Sequence, residues 1–207
     1  MFVDELPKQV EDVRRQVATT AGGPARDKLE AQLASQENYL KALGAITVTP
    51  PTVTFSESMT LFHGGREIRL LFLGRAHTGG DIVVFLPKER VLVSGDVLTA
   101  GPSYLVDGYP TDWIPTLDRL KALDFDTVLP GHGAAFQGKA KIDQFQSYLR
   151  DFWSQAQKLH AAGVTPADAA KQIDMRSHAA DYPTLTTVGV LDHSLYRAYD
   201  LMDGKVR

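Results

Sequence analysis

The sequence predicts a mixed α/β fold built on a sheet of five or six strands, on three observations. Apolar residues recur at helical spacing from Leu6 to Leu43, short β-branched or apolar runs fill the stretch from Thr52 to Ser94, and helical periodicity returns after Gly133. The 207 residues suffice to bury a substantial core, and the hydrophobic share of 43% and charged share of 23% are ordinary for a globular chain.

Taken in order, Leu6, Val10, Val13 and Val17 mark one face of a first helix. Asp4 and Glu5 favour its N-terminus, and Pro7 is placed in the opening turn, where a missing N–H costs little. Thr19–Pro24 breaks the pattern, and a second helix follows with Leu29, Leu33, Leu40 and Leu43 on its apolar side and Gly44 as its stop. From Ile46 the period changes. Strands are predicted over Thr52–Phe55, Met59–His63, Glu67–Leu73, Asp81–Leu86 and Arg90–Ser94, with turns at His63–Arg66 and Pro87–Arg90. A helix over Trp113–Leu123 and a strand over Asp126–Leu129 precede helices over Ile142–Ala162, Pro166–Ile173 and Leu185–Met202. The organisation expected is one partial domain over 1–207: a helical hairpin (1–45), a sheet with loops bearing ligand-type side chains (46–133) and C-terminal helices (134–207).

Composition narrows the function. Net charge is −3 without a basic tract, so no nucleic-acid surface is predicted. The absence of cysteine removes disulfides, thiolate metal sites and a cysteine nucleophile together, leaving His, Asp and Glu as the available metal ligands. No apolar run is long enough to span a bilayer, so no membrane association is expected. Met1-Phe2-Val3 runs straight into Asp4-Glu5, unlike a signal peptide, which makes a cytoplasmic location the default expectation.

Three stretches put a ligand-type side chain where a strand ends in glycine: Gly74–Asp81 around His77, Val93–Asp96, and Leu129–Gly133 around His132. Strand ends gather residues distant in sequence, and rigid Gly-rich loops suit the bonds of about 2.0–2.2 Å that zinc makes to nitrogen and oxygen. Each stretch alone is ordinary; a His or Asp beside glycine is usually a turn or cap. In this order they are harder to dismiss. H-T-x-G-D, then G-D, then P-G-H-G resembles the second half of the metallo-β-lactamase superfamily signature, over about Thr52 to Gly133 and more loosely over most of the chain.

The resemblance implies half of an αββα sandwich and a zinc-dependent hydrolase with one or two ions in the complete family site. His77 corresponds to the first-site histidine, Asp96 to the carboxylate bridging two metals, and His132 to the second-site histidine. It further implies that Asp81 and Thr78 orient His77 and its loop. Tyr104, Tyr109 and Trp113 fall where the family's pocket loops run, although an aromatic start to a core helix is an equal reading. His160 and His178 read as surface or capping residues, Tyr182, Tyr196 and Tyr199 as packing residues, and His193 as a candidate for the pocket mouth. An aspartate at 96, where the β-lactamases themselves carry Cys or Ser, resembles the glyoxalase-II-like, lactonase-like and general hydrolase branches. That points to ester, thioester or lactone substrates.

The family's first motif, H-x-H-x-D-H, is absent: no two of His63, His77, His132, His160, His178 and His193 are two residues apart. A truncated N-terminal half is the expectation, with weak zinc binding and negligible hydrolysis by this chain alone. Three readings stay open: a hydrolase completed by its missing N-terminal half, an inactive module that binds a partner through an exposed sheet face, and a homodimer of two facing halves.

Overall fold

The computed structural model describes residues 2–206 and divides the chain into two compact units, Met1–Thr54 and Phe55–Arg207. In the first unit, α1 (Phe2–Thr19) packs along α2 (Pro24–Gly44). Leu6, Val10 and Val13, at the predicted three- and four-residue spacing, are the buried residues described for α1, whereas none in α2 is fully buried. An ion pair at 2.6 Å from Arg14 to Glu37 links the two helices. The side chains of residues 2–5, with the Asp4 and Glu5 assigned to the N-terminal turn, lie outside the described residues. Pro7 lies inside α1 rather than in its opening turn, because the helix already begins at Phe2.

The second unit is a six-stranded sheet in sequence order: β1 (Ser58–His63), β2 (Arg66–Leu71), β3 (Val83–Leu86), β4 (Val91–Gly95), β5 (Thr127–Pro130) and β6 (Phe136–Gln137). Every neighbouring pair is antiparallel except β4–β5, which is parallel and is bridged by α3 (Pro110–Lys121). The parallel pair needs a long crossover, and the helix supplies it. Arg90, at the positive-φ end of the β3–β4 turn, clamps that pair from outside. Its guanidinium holds Asp126 by two bonds of 2.6 and 2.9 Å and also reaches Asp124, and these carboxylates raise its pKa.

The strand predicted over Thr52–Phe55 does not form. The segment follows directly on Pro50 and Pro51, and Val53 in it is 66% exposed, without the burial that stabilises a strand. Conversely, β6 was not foreseen, since two residues show no period. It is created by pairing, with Val128 opposite Phe136. After it come α4 (Ala140–Ala161), α5 (Pro166–Ala170) and α6 (Asp192–Met202). The last helix starts later than the predicted Leu185, because the Gly189 and Val190 amides donate to the carbonyls of Ile173 and Ala170 instead.

Alternation decides which face of the sheet is core. Val83, Phe85, Leu92 and Val128 are buried in one cluster with Trp113, Leu117 and Leu120 of α3 and Phe145, Leu149 and Phe152 of α4. The opposite face carries Met59, Leu61, Leu70, Val84, Val93 and Leu129 in register, every one of them half-buried or exposed. Among the described residues no helix is long and apolar enough to cross a membrane.

Candidate active site

The C-terminal ends of the parallel pair build the site. Asp96 follows β4 and His132 follows β5, so pairing of Val93 with Leu129 and of Gly95 with Pro130 brings both loops together. The Gly131 amide donates to the Gly95 carbonyl at 2.9 Å, which closes the joint. Gly131 is required here: a Cβ would collide with Asp96 Oδ1 and lie 2.9 Å from the Gly95 carbonyl carbon. His132 Nδ1 stands 2.7 Å from Asp96 Oδ1.

His77 arrives from the loop between β2 and β3. Its Nε2 is 3.7 Å from Asp96 Oδ2, so the two imidazoles address different oxygens of one carboxylate. Hydrogen bonds within the loop hold it. The Thr78 amide and hydroxyl donate to the two Asp81 oxygens at 2.7 and 2.9 Å, and the Gly80 amide donates to Thr78 Oγ1. Ala76, wholly buried, accepts from the Tyr109 amide at 2.8 Å and ties this loop to the segment entering α3. His77 also meets the Trp113 ring edge-on at 5.8 Å, while its buried Nδ1 has no hydrogen-bond partner among the described residues.

His77, Asp96 and His132 line one cavity of about 420 Å³ with Thr99, Pro102, Ser103 and Tyr104. Asp96 forms its recessed part at 25% side-chain exposure, and His132, at 81%, stands on the rim. Of the three aromatic candidates only Tyr104 reaches this cavity. Trp113 is fully buried beneath it, donating from Nε1 to the Val97 carbonyl at 2.9 Å. Tyr109 lies under two arginines, with Arg75 and Arg197 each 4.5 Å from its ring centroid.

Thr99 and Ser103 were not singled out from the sequence, and no motif marks them. Their hydroxyls are 2.9 Å apart, Thr99 donates to the Gly101 carbonyl, and Ser103 donates to the Asp96 carbonyl, which fixes the loop after Asp96. The remaining histidines lie outside the cavity lining. His178 is buried rather than on the surface, with Nε2 3.0 Å from Asp151, and His160 pairs with Asp203 at 2.9 Å. His193 pairs with its neighbour Asp192. Tyr182 and Tyr199 are packing residues, but Tyr196 is 43% exposed.

The family model for the metallo-beta-lactamase superfamily matches residues 9–132, more than half of the chain. The chain belongs to the metallo-beta-lactamase superfamily. Among its curated relatives is a linear primary-alkylsulfatase of Pseudomonas, 29% identical over 170 residues, covering 75% of this chain and 32% of that protein. The alpha subunit of a 2,4-dinitroanisole O-demethylase from Nocardioides is 37% identical over 86 residues, or 40% of this chain and 26% of the relative. A type 2 metallo-beta-lactamase of Bacteroides fragilis is 34% identical over 90 residues, or 40% of this chain and 36% of the enzyme. The chain thus spans about a third of the length of the curated relatives it matches. A sec-alkylsulfatase from Pseudomonas superposes with a TM-score of 0.60 at 17% identity, over 75% of this chain and 27% of that one, a likeness of fold alone.

Proposed function

We propose that His77, Asp96 and His132 are part of the metal site of a zinc-dependent hydrolase acting on ester-type bonds. One observation carries this reading: two imidazoles from separate strand-end loops converge on the two oxygens of one recessed carboxylate at the wall of a single cavity. Hydrogen-bonded turns hold both loops, which is the rigidity a ligand set needs. Similarity to the alkylsulfatase, over three quarters of this chain, adds the sulfate ester of a primary alcohol to the carboxylic ester, thioester and lactone classes.

The donors fit zinc in kind, being imidazole nitrogen and carboxylate oxygen. They do not fit it in number or placement. Among the described residues no group of three His, Cys, Asp or Glu is arranged to hold a metal ion, and His132 Nδ1 is engaged with Asp96. The reading therefore requires further donors from outside these residues, and no catalytic step is assigned to the three alone. His77, Asp96 and His132 would contribute only part of a completed ligand set, in which zinc would supply water activation and polarisation of the scissile group.

Equilibrium dialysis against zinc with elemental analysis tests the ligand assignment. Binding by this chain alone is expected to be weak and to fall further in Asp96→Asn and His77→Ala. Equal zinc uptake by wild type and both variants overturns the assignment. Turnover of alkyl sulfate, carboxylic ester, thioester and lactone panels by this chain alone in excess zinc is expected to be negligible, because the site needs donors from outside these residues, and turnover that survives Asp96→Asn overturns the assignment. A second reading, an inactive module that binds a partner through the half-open sheet face, is favoured by the apolar register of that face and predicts zinc uptake that Asp96→Asn and His77→Ala leave unchanged.

A further inference from the structure

A second cavity of about 290 Å³ lies beside the candidate site, between the loop after Asp96, α4 and the segment leading into α6. The two cavities share Pro102, Ser103 and Tyr104, so a single stretch of chain forms the wall between them. Their chemistry differs. The first is lined by two histidines and a carboxylate, whereas the second has no charged residue in its lining and combines apolar side chains such as Leu105, Phe152, Leu185 and Val190 with the hydroxyl-bearing Tyr148 and Ser194. Phe152 is fully buried, while Leu191 (55% exposed) and Tyr104 (43% exposed) place apolar surface in the lining that meets solvent.

The cavity opens to solvent, and a concave, mostly apolar wall with a few hydroxyls is the usual lining of a site for a largely apolar ligand group. We infer that this cavity holds the aliphatic part of a substrate whose polar, reacting group lies against Asp96 across the Pro102–Tyr104 wall. The inference rests on the hydrolase reading above, but the cavity can be tested without turnover. The lining offers no charged partner, so an ionised group gains less there than an aliphatic one.

The test uses the whole chain and straight-chain carboxylates (butanoate, octanoate and dodecanoate, below micelle formation), which have no scissile bond. Binding is followed by the methyl NMR signals of Val190 and Leu191. Affinity is expected to rise about two- to fourfold per added methylene while the chain is being buried. Leu191→Asp should weaken dodecanoate about tenfold or more by placing a carboxylate in the apolar lining. The same change should leave butanoate binding within about twofold, since its tail is too short to gain much from apolar burial. Leu191 occupies the N-cap position of α6, where aspartate is favourable, and a melting curve verifies that the variant folds. Val190→Thr, similar in shape, is the second variant and should cost dodecanoate a few-fold. Affinity independent of chain length, or signals that move at Leu61 and Leu129 instead, overturns the inference. Failure of the zinc or substrate assays alone bears on the hydrolase reading, since carboxylate binding needs neither.

Discussion

Gly131 shows how much of the site hangs on a single missing methyl group. The carboxylate of Asp96 occupies the space a side chain at 131 would need, and the backbone of Gly95 closes it from behind. Gly131→Ala should cost about 1–3 kcal/mol, the usual range for overpacking, and push Asp96 away from His132. Urea melts give the first, and a shift of the His132 ring signals gives the second. Unchanged ring signals count against the close approach. At Tyr148, 6% exposed, burial and then the charge of Asp151 push the phenol up to about 12 from 10.0. Below pH of about 10 it is protonated in both states. Between about 10 and 12 only the unfolded chain releases the proton, so stability falls as pH rises through that window. Wild type should lose stability relative to Tyr148→Phe between about pH 8 and pH 11 in paired urea melts, and parallel curves would contradict the burial.

Elements far apart in sequence are joined at the site by polar contacts that periodicity does not reveal. Arg197 of α6 donates to the carbonyls of Gly108 and Asp107 at 3.0 and 3.1 Å and covers the Tyr109 ring. Tyr109 in turn bonds Ala76, the neighbour of His77. Arg197→Met keeps the aliphatic stem but leaves two carbonyls without their donor. It is expected to cost about 1–3 kcal/mol, with faster hydrogen exchange at the Tyr109 amide. Exchange unchanged at that amide would show that α6 does not hold the loop. The helices α3 and α4 were legible from apolar spacing, since Trp113, Leu117 and Leu120 all face the core as the pattern requires. Neither β6 nor the late start of α6 was legible. The first exists only as a partner of β5, and the second is set by two backbone amides captured by α5 and the residues after it.

For the molecule as a whole, the two faces of one sheet are the main asymmetry. One is sealed by α3 and α4, while the other presents an apolar register from Met59 to Leu129 that stays half open, with Leu61 45% and Leu129 42% exposed. Contiguous apolar surface of this kind usually marks an interface. The chain is therefore expected to bind an apolar fluorescent dye and to self-associate with rising concentration. Leu61→Glu combined with Leu129→Lys should reduce both effects, at little cost in stability because neither residue is buried. Dye binding and sedimentation of the double variant identical to wild type would place the sticky surface elsewhere.

The sequence by itself determined the α/β class and most element positions, because periodicity is a local signal, and it marked His77, Asp96 and His132 as candidates through strand-end glycines and the family resemblance. It also determined that no H-x-H-x-D-H stands among the six histidines. Tertiary structure decided the rest. Register across β4 and β5 turned two loops into one site, and burial separated Tyr104, in the cavity, from Trp113 beneath it. Pairing also decided that the His77, Asp96 and His132 side chains meet without closing a metal cage. Such outcomes depend on distances between residues tens of positions apart, which no window along the chain encodes.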